Sequence, residues 1–255
     1  MLKIYFLGTG TSQGVPVIGC DCAVCSSTNV LDKRLRTAAL ISWEDTVVAV
    51  DCGPDFRQQM LQSNCKKLDA LLFTHEHADH TAGLDDIRPY NFKKGPMPIY
   101  ADPRVVANLK KRFDYIFETE NRYPGAPEVE VHEVIDAAPF ELGGRLVKPL
   151  KALHGTLPIY GFQVDGLVYM TDVKYVSDAV VSEIKGCEVL VINALRVEEH
   201  FTHFNLEEAL KFITLVEPKR AYLTHVSHLL GLQEEVERQL PEHVHLAYDN
   251  LEILL

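Results

Sequence analysis

No uninterrupted apolar stretch of roughly 18 residues occurs anywhere in this 255-residue sequence, which excludes a membrane-spanning helix. The opening Met1–Leu7 is too short for the apolar core of a signal peptide and runs straight into glycines, so a cytoplasmic protein is expected. Positive charge is scarce: 25 Lys and Arg face 36 Asp and Glu, a net charge of −11. A broad electrostatic grip on nucleic acid or an anionic membrane is therefore not written into the surface as a whole, and only local basic patches could supply one. Linkers, short repeats and low-complexity tracts are also missing. With 47% hydrophobic residues, one domain spanning 1–255 with a large core is expected. No G-x-S-x-G elbow is present, which removes the usual serine nucleophile. Gly8-Thr9-Gly10-Thr11-Ser12 lacks the lysine of a phosphate-cradling Walker loop and reads as a close-packed turn.

What the sequence does contain is a succession of short apolar runs rich in Val, Ile, Leu and Tyr. Strands are expected over Leu2–Leu7, Ala38–Ser42, Val47–Val50, Ala70–Thr74, Ile99–Tyr100, Gly161–Val164, Leu167–Thr171, Val189–Ile192 and Ala221–Thr224. Helices are expected between them, over Pro54–Gln62, Gly83–Ile87, Pro103–Phe113, Ser177–Ile184, Leu206–Val216 and Gly231–Leu240. Asn205 followed by Glu208 has the form of a capping box for the helix at Leu206. The alternation implies sheets covered by helices, an α/β fold. Glu118–Glu128 is turn-rich and is expected at the surface.

Six cysteines are present, and three crowd into Cys20-x-Cys22-x-x-Cys25, a spacing better suited to wrapping one ion than to pairing as disulfides. Cys52, Cys65 and Cys187 lie singly in or beside apolar runs and read as small buried hydrophobes. The strongest chemical signal follows the run Ala70–Thr74, where His75, His77, Asp79 and His80 fall within six residues. A turn leaving a buried strand can aim the first pair one way and the second pair the other, as two metals require. The helical H-E-x-x-H zinc pattern would place its histidines four apart, and here the first two are two apart. A two-metal site needs further ligands at other strand ends, and His154, Asp172 and His225 each follow an apolar run.

This pattern, H-x-H-x-D-H, then His, Asp and His in order, resembles the metallo-β-lactamase superfamily over nearly the whole chain. The resemblance implies a four-layer αβ/βα sandwich with two divalent ions, Zn or Mn, in the cleft between two sheets. It assigns His75, His77 and His154 to the first ion, Asp79, His80 and His225 to the second, and Asp172 to both. Asp51 in Asp51-Cys52-Gly53 resembles the family's brace of the histidine loop, with helix capping as the competing reading. Val15-Pro16-Val17 and the cysteine loop 19–26 are similar to the phosphoribosyl cyclic phosphate phosphodiesterases of the carbon–phosphorus lyase pathway. That subfamily implies a structural Zn on Cys20, Cys22, Cys25 and His228, a closed Cys3His set with no open position. It also implies a catalytic histidine three residues before the leucine that opens a helix, which is His203, with His200 its neighbour. The sequence departs from the subfamily over Tyr115–Pro127 and Asn193–Arg196, which leaves the cyclic substrate open.

The expected function is hydrolysis of a small phosphodiester substrate, cyclic or linear. Two ions sharing a water would lower its pKa from ~15.7 toward ~7 and supply a metal-bound hydroxide. Asp79 would orient that nucleophile, and His203 would hydrogen-bond a phosphoryl oxygen or protonate the leaving alkoxide. Isolated Arg57 and Arg196 read as surface ion pairs. One rival is a transfer-RNA 3′-processing endonuclease of the same superfamily, against which the net charge argues. A second is thioester or lactam hydrolysis on the same fold, and a third is a metal-binding protein without activity. A homodimer would be in keeping with the subfamily, and neither a membrane nor nucleic acid is an expected partner.

Overall fold

Apolar strands covered on both faces shape the chain, and a computed structural model describes residues 1–120 and 122–255. Fifteen strands are formed among the described residues. They are β1 (Leu2–Gly8), β2 (Ala38–Trp43), β3 (Thr46–Val50), β4 (Ala70–Leu72), β5 (Met97–Ala101), β6 (Val129–Glu133), β7 (Phe140–Leu142) and β8 (Arg145–His154). After these come β9 (Leu157–Val164), β10 (Leu167–Tyr169), β11 (Tyr175–Val176), β12 (Val189–Asn193), β13 (Arg220–Thr224), β14 (Val244–Leu246) and β15 (Glu252–Leu254). One sheet runs β15-β1-β2-β3-β4-β5-β6 and the other β11-β8-β9-β10-β12-β13-β14, with β7 beside β8. Each sheet is antiparallel in its first strands and parallel from β3 to β6 or from β10 through β14.

Side chains alternate across these strands, so one apolar run feeds two cores. Val189 and Val191 enter the layer between the sheets, while Leu190 and Ile192 pack under the outer helices. Val48, Val50 and Leu72 meet Phe162, Val164 and Tyr169 in that central layer. On the outer face of the first sheet, Ala49, Leu71 and Ile99 pack with Phe56 and Met60 of helix Phe56–Gln62 and with Val105, Val106 and Leu109 of helix Pro103–Arg112. Helix Leu206–Val216 covers the second sheet with Ala209, Phe212, Ile213 and Val216. Its capping box is formed: the Asn205 side chain accepts from Glu208 N at 2.9 Å, and Glu208 Oε2 accepts from Asn205 N at 3.0 Å. The result is the four-layer αβ/βα sandwich. No helix among the described residues is long and apolar enough to cross a membrane.

Several elements differ from the sequence-based expectation. Arg145–His154 is one continuous strand although Pro149 lies within it. Pro149 pairs with Phe162 on one side, and on the other side β7 pairs only with Arg145–Val147 and β11 only with Ala152 and Leu153, so its missing N–H is not needed. Leu84–Ile87 is a 3-10 turn that continues into helix Arg88–Lys94, with Pro89 in the first turn, where a missing donor is harmless. Beyond the one-turn helix Asp114–Phe117, the turn-rich segment lies at the surface, where Arg122 pairs with Glu128 at 3.1 Å and lines a hollow with Asn91 and Phe92. Asn121, within that expected excursion, is outside the described residues.

Candidate metal centre

The ends of six chain segments meet at one edge of the two sheets: those that follow β3, β4, β10, β12 and β13, and the last residue of β8. Ligand-binding crevices in open α/β sheets lie beyond the carboxyl ends of parallel strands, and the same rule operates here. Three strand-end residues, Asp51, Asp172 and His225, are held in the left-handed region, with φ of 64°, 61° and 54°. Such backbone is costly for residues with a Cβ and persists only where surroundings enforce it, which is characteristic of functional sites.

The ligand-type atoms of His75, His77 and His154 lie within 4.8 Å of one another, and so do those of Asp79, His80, Asp172 and His225. Asp172 also groups with His154 and His203, placing its carboxylate between the two sets. Within the first set, His75 Nε2 and His77 Nδ1 are 3.0 Å apart. Asp79 and His80 sit on the one-turn helix Ala78–Thr81 rather than on the open turn expected from sequence.

Three of the buried imidazoles, those of His75, His80 and His154, are aimed through their second nitrogen. The Thr74 hydroxyl is 2.9 Å from His75 Nδ1, the Thr202 carbonyl accepts from His154 Nδ1 at 2.9 Å, and Asp51 Oδ2 is 2.7 Å from His80 Nδ1. Those contacts leave the Nε2 atoms of His75, His154 and His80 for the cleft. Asp51 is itself fixed by the Thr74 amide at 2.9 Å and the Thr74 hydroxyl at 2.8 Å.

Electrostatics in this pocket favour cations. Burial would push the Asp172 carboxyl up, but His225 and His80 overcome it and hold it well below the usual range. Burial likewise opposes charge on His225, yet Asp172 and Asp79 carry it up to about 9; His80 is raised for the same reason by Asp172, Asp51 and Asp79. Asp79 is lowered against burial by His80 and His225. Buried His75 is pushed down, and burial takes His203 down to about 4 despite Asp172. Three carboxylates thus draw positive charge into a buried volume. His80 Nε2 and His225 Nε2 lie 3.4 and 3.1 Å from Asp172 oxygens without forming hydrogen bonds of proper geometry. Buried polar atoms seldom lack partners, and a divalent ion is the species that would satisfy nitrogens and carboxylate oxygens together. The donor set therefore fits the metals implied by the fold.

His203 Nε2 lies 3.1 Å from Asp172 Oδ1, and its Nδ1 is 2.9 Å from the Thr202 hydroxyl. His200 stands 3.1 Å from His203, half-buried on the outer side.

A second cluster lies apart. Sulfurs of Cys20, Cys22 and Cys25 are 3.3, 3.4 and 3.4 Å from the one Nδ1 of His228. One ring nitrogen cannot hydrogen-bond three sulfurs at once, whereas a tetrahedron with Zn–S of about 2.3 Å and Zn–N of about 2.0 Å has S···N edges of roughly 3.5 Å. The Val17 and Cys25 amides point at Cys25 and Cys22 sulfur, at 3.3 and 3.4 Å. Cys22 is lowered to about 6 by the Cys25 amide and by His228, while burial takes Cys25 up to about 11.

Some supporting residues escaped the sequence reading. Asn193 accepts from Val173 N at 2.6 Å and donates to Val173 O at 3.1 Å, holding the turn that presents Asp172. An Asn closing the apolar run Val189–Ile192 was its only signal in the sequence. Thr74 and Thr202 had none, because a threonine beside a histidine is commonplace. Arg196 holds the Glu198 and Glu199 carbonyls of its own loop rather than a surface ion pair. Gly53 is required by contact: a Cβ there would lie 1.9 Å from the Asp79 carbonyl oxygen. Gly53→Ala is expected to cost on the order of 3 kcal/mol and roughly 6–12 °C of Tm, because backbone must shift. Thermal unfolding checks this. Asp51→Asn, which weakens the brace on His80, is expected to lower metal affinity about 10- to 100-fold, measured by competition with a chelating dye.

Residues 46–226 match the family described as a beta-lactamase superfamily domain. The crystal structure of a new diphosphatase from the PhnP family superposes with a TM-score of 0.92 at 39% identity, covering 99% of this chain and 96% of that one. An octanoyltransferase from Porphyromonas gingivalis is 39% identical over 256 residues, which is 100% of this chain and 52% of that protein. A ribonuclease Z from Bacillus licheniformis is 26% identical over 168 residues, 64% of this chain and 48% of that protein. The chain spans about half the length of the curated relatives it matches.

Proposed function

The chain belongs to the beta-lactamase superfamily domain family, in the branch of the PhnP-family diphosphatase, and on that premise we propose that it hydrolyses a small phosphodiester with two divalent ions. The observation that carries the proposal is the convergence of seven ligand-type side chains from four separate stretches of sequence into two sets, linked by Asp172, which belongs to the second and also groups with His154 of the first. His75, His77 and His154 would hold one ion, Asp79, His80 and His225 the other, and Asp172 would serve both. Zinc or manganese suits such a His/Asp set. When bound, the pair would acidify water near neutral pH and offset charge developing on phosphoryl oxygens.

The chain's own residues supply orientation and proton handling. Thr74, Asp51 and the Thr202 carbonyl fix ring orientations, so the donor geometry is set before substrate arrives. Asp79 is kept ionised by His80 and His225, and as a hydrogen-bond acceptor it would orient the attacking water. Burial keeps His203 neutral. Its Nδ1 lies 2.9 Å from the Thr202 hydroxyl and its Nε2 3.1 Å from Asp172 Oδ1, so as a neutral ring it would act as a hydrogen-bond donor that a phosphoryl oxygen in the cleft could share, and protonation of the departing alkoxide would fall to water. Cys20, Cys22, Cys25 and His228 would hold a structural zinc, with no position left for water.

The full octanoyltransferase is nearly twice as long as the matched stretch, so its named activity is not assigned to this chain. Turnover of bis(p-nitrophenyl) phosphate, abolished by EDTA and restored by Zn or Mn, is the expected result. A thioester and a precursor transfer RNA are assayed beside it. Turnover of either, with the phosphodiester untouched, overturns the proposal.

A further inference from the structure

A cavity of about 760 Å³ is walled by residues next in sequence or hydrogen-bonded to the segments that carry the metal ligands, and the chemistry above does not use it. It opens at the same end of the sheets. Its wall includes Leu153, the residue before His154, and Tyr160, whose amide donates to the Thr74 carbonyl at 3.0 Å, one residue before His75. Arg104 forms another part of the wall, and its Nη2 is 3.3 Å from Glu76 Oε2, between His75 and His77. Three independent links therefore tie the cavity to the first ligand set.

A phosphoryl group alone needs no space of this size, which is in the range of sites that enclose drug-sized ligands. The lining is flat and apolar where Ile135, Pro158, Ile159, Tyr160 and Tyr175 meet. Ile135 and Tyr175 remain 57% and 56% exposed, an apolar surface left open to water at the edge of a catalytic cleft. Its charges already have partners: Arg104 faces Glu76 and Asp102, and Lys151 faces Asp136 at 3.5 Å. An additional anion is not demanded there.

We propose that this cavity seats the second ester arm of the substrate, and that the arm is an uncharged ring, aromatic or nucleobase, rather than a bare sugar or alkyl group. The proposal rests on the phosphodiester reading above. Stacking on the tyrosines and contact with Ile135 and Ile159 would supply the selectivity, and the ring would position phosphorus over the ligand cluster.

The test uses the full chain loaded with zinc or manganese and two esters releasing the same chromophore: methyl p-nitrophenyl phosphate and thymidine 5′-(p-nitrophenyl phosphate). Binding of thymidine 5′-monophosphate is followed in parallel by calorimetry. The ring ester is expected to have kcat/KM about tenfold or more above the methyl ester, and the preference to fall to about twofold in Ile135→Ala and Tyr175→Ala. Both positions are half exposed, so the variants should fold. Equal kcat/KM for the two esters, insensitive to either substitution, overturns the cavity proposal and leaves the phosphodiester reading intact. Ring binding that weakens in the variants without any turnover supports the cavity and overturns the reading. Neither binding nor turnover overturns both.

Discussion

Asp172→Ala is expected to lower kcat on bis(p-nitrophenyl) phosphate by about a thousandfold or more and to reduce bound active-site metal. The carboxylate is almost fully buried and has a left-handed backbone. One of its oxygens lies 3.1 Å from both His203 and His225, and the other 3.4 Å from His80. Truncation removes the carboxylate that stands in the second ligand set and also groups with His154 of the first, and it leaves His80, His203 and His225 without that anion. Asp172→Asn keeps the volume and removes the charge, so it should fall nearly as far if charge is the cause. Kinetics with metal content per chain, by mass spectrometry, make the measurement. Full turnover with full metal in either variant would show that the bridging role is misassigned.

Cys20→Ser is expected to remove one zinc per chain and to lower Tm by about 10 °C or more, while kcat at 25 °C falls less than tenfold. The cluster joins Cys20 to His228 across 208 positions of sequence. In the chain-entropy picture, a clip closing a loop of roughly 200 residues contributes at most about 5 kcal/mol, and in a chain of this size each kcal/mol moves Tm by about 2–4 °C. The site itself should persist, because Val226, next to His225, is held independently: it donates to Thr9 O at 2.8 Å and accepts from Thr11 N at 3.0 Å. Metal analysis, thermal unfolding and the phosphodiester assay together check the prediction. Loss of zinc with unchanged Tm would defeat the structural role. Abolished turnover in a chain that remains folded would assign the cluster to catalysis.

Most of the fold can be read along the chain because its strands are buried on both faces and therefore appear as unbroken apolar runs, as at Val189–Asn193. The strands that went unseen are those whose identity depends on partners. Arg145–His154 carries a proline and three cationic residues and is made a strand by β9, with which eight of its residues pair. Val129–Glu133, with two exposed glutamates, is an edge strand specified by pairing with Met97–Ala101. Helix Leu206–Val216 needed no partner to be recognised, since its cap and its apolar stripe are local.

The candidate site divides in the same way. His75, His77, Asp79 and His80 are local: four donor side chains in six residues imply ion binding whatever the rest of the chain does, and a triple-cysteine loop does so again at Cys20–Cys25. That His154, Asp172 and His225 join them, that Asp51, Thr74 and Thr202 aim the rings, and that Arg104, Leu153 and Tyr160 wall a cavity at the strand ends, is decided only when two sheets bring those ends together. The physical reason is range. Residue type and periodicity act over a few positions, whereas the left-handed backbone at Asp51, Asp172 and His225 and the convergence of charge around Asp172 depend on packing between segments that are tens of residues apart, 92 between His80 and Asp172.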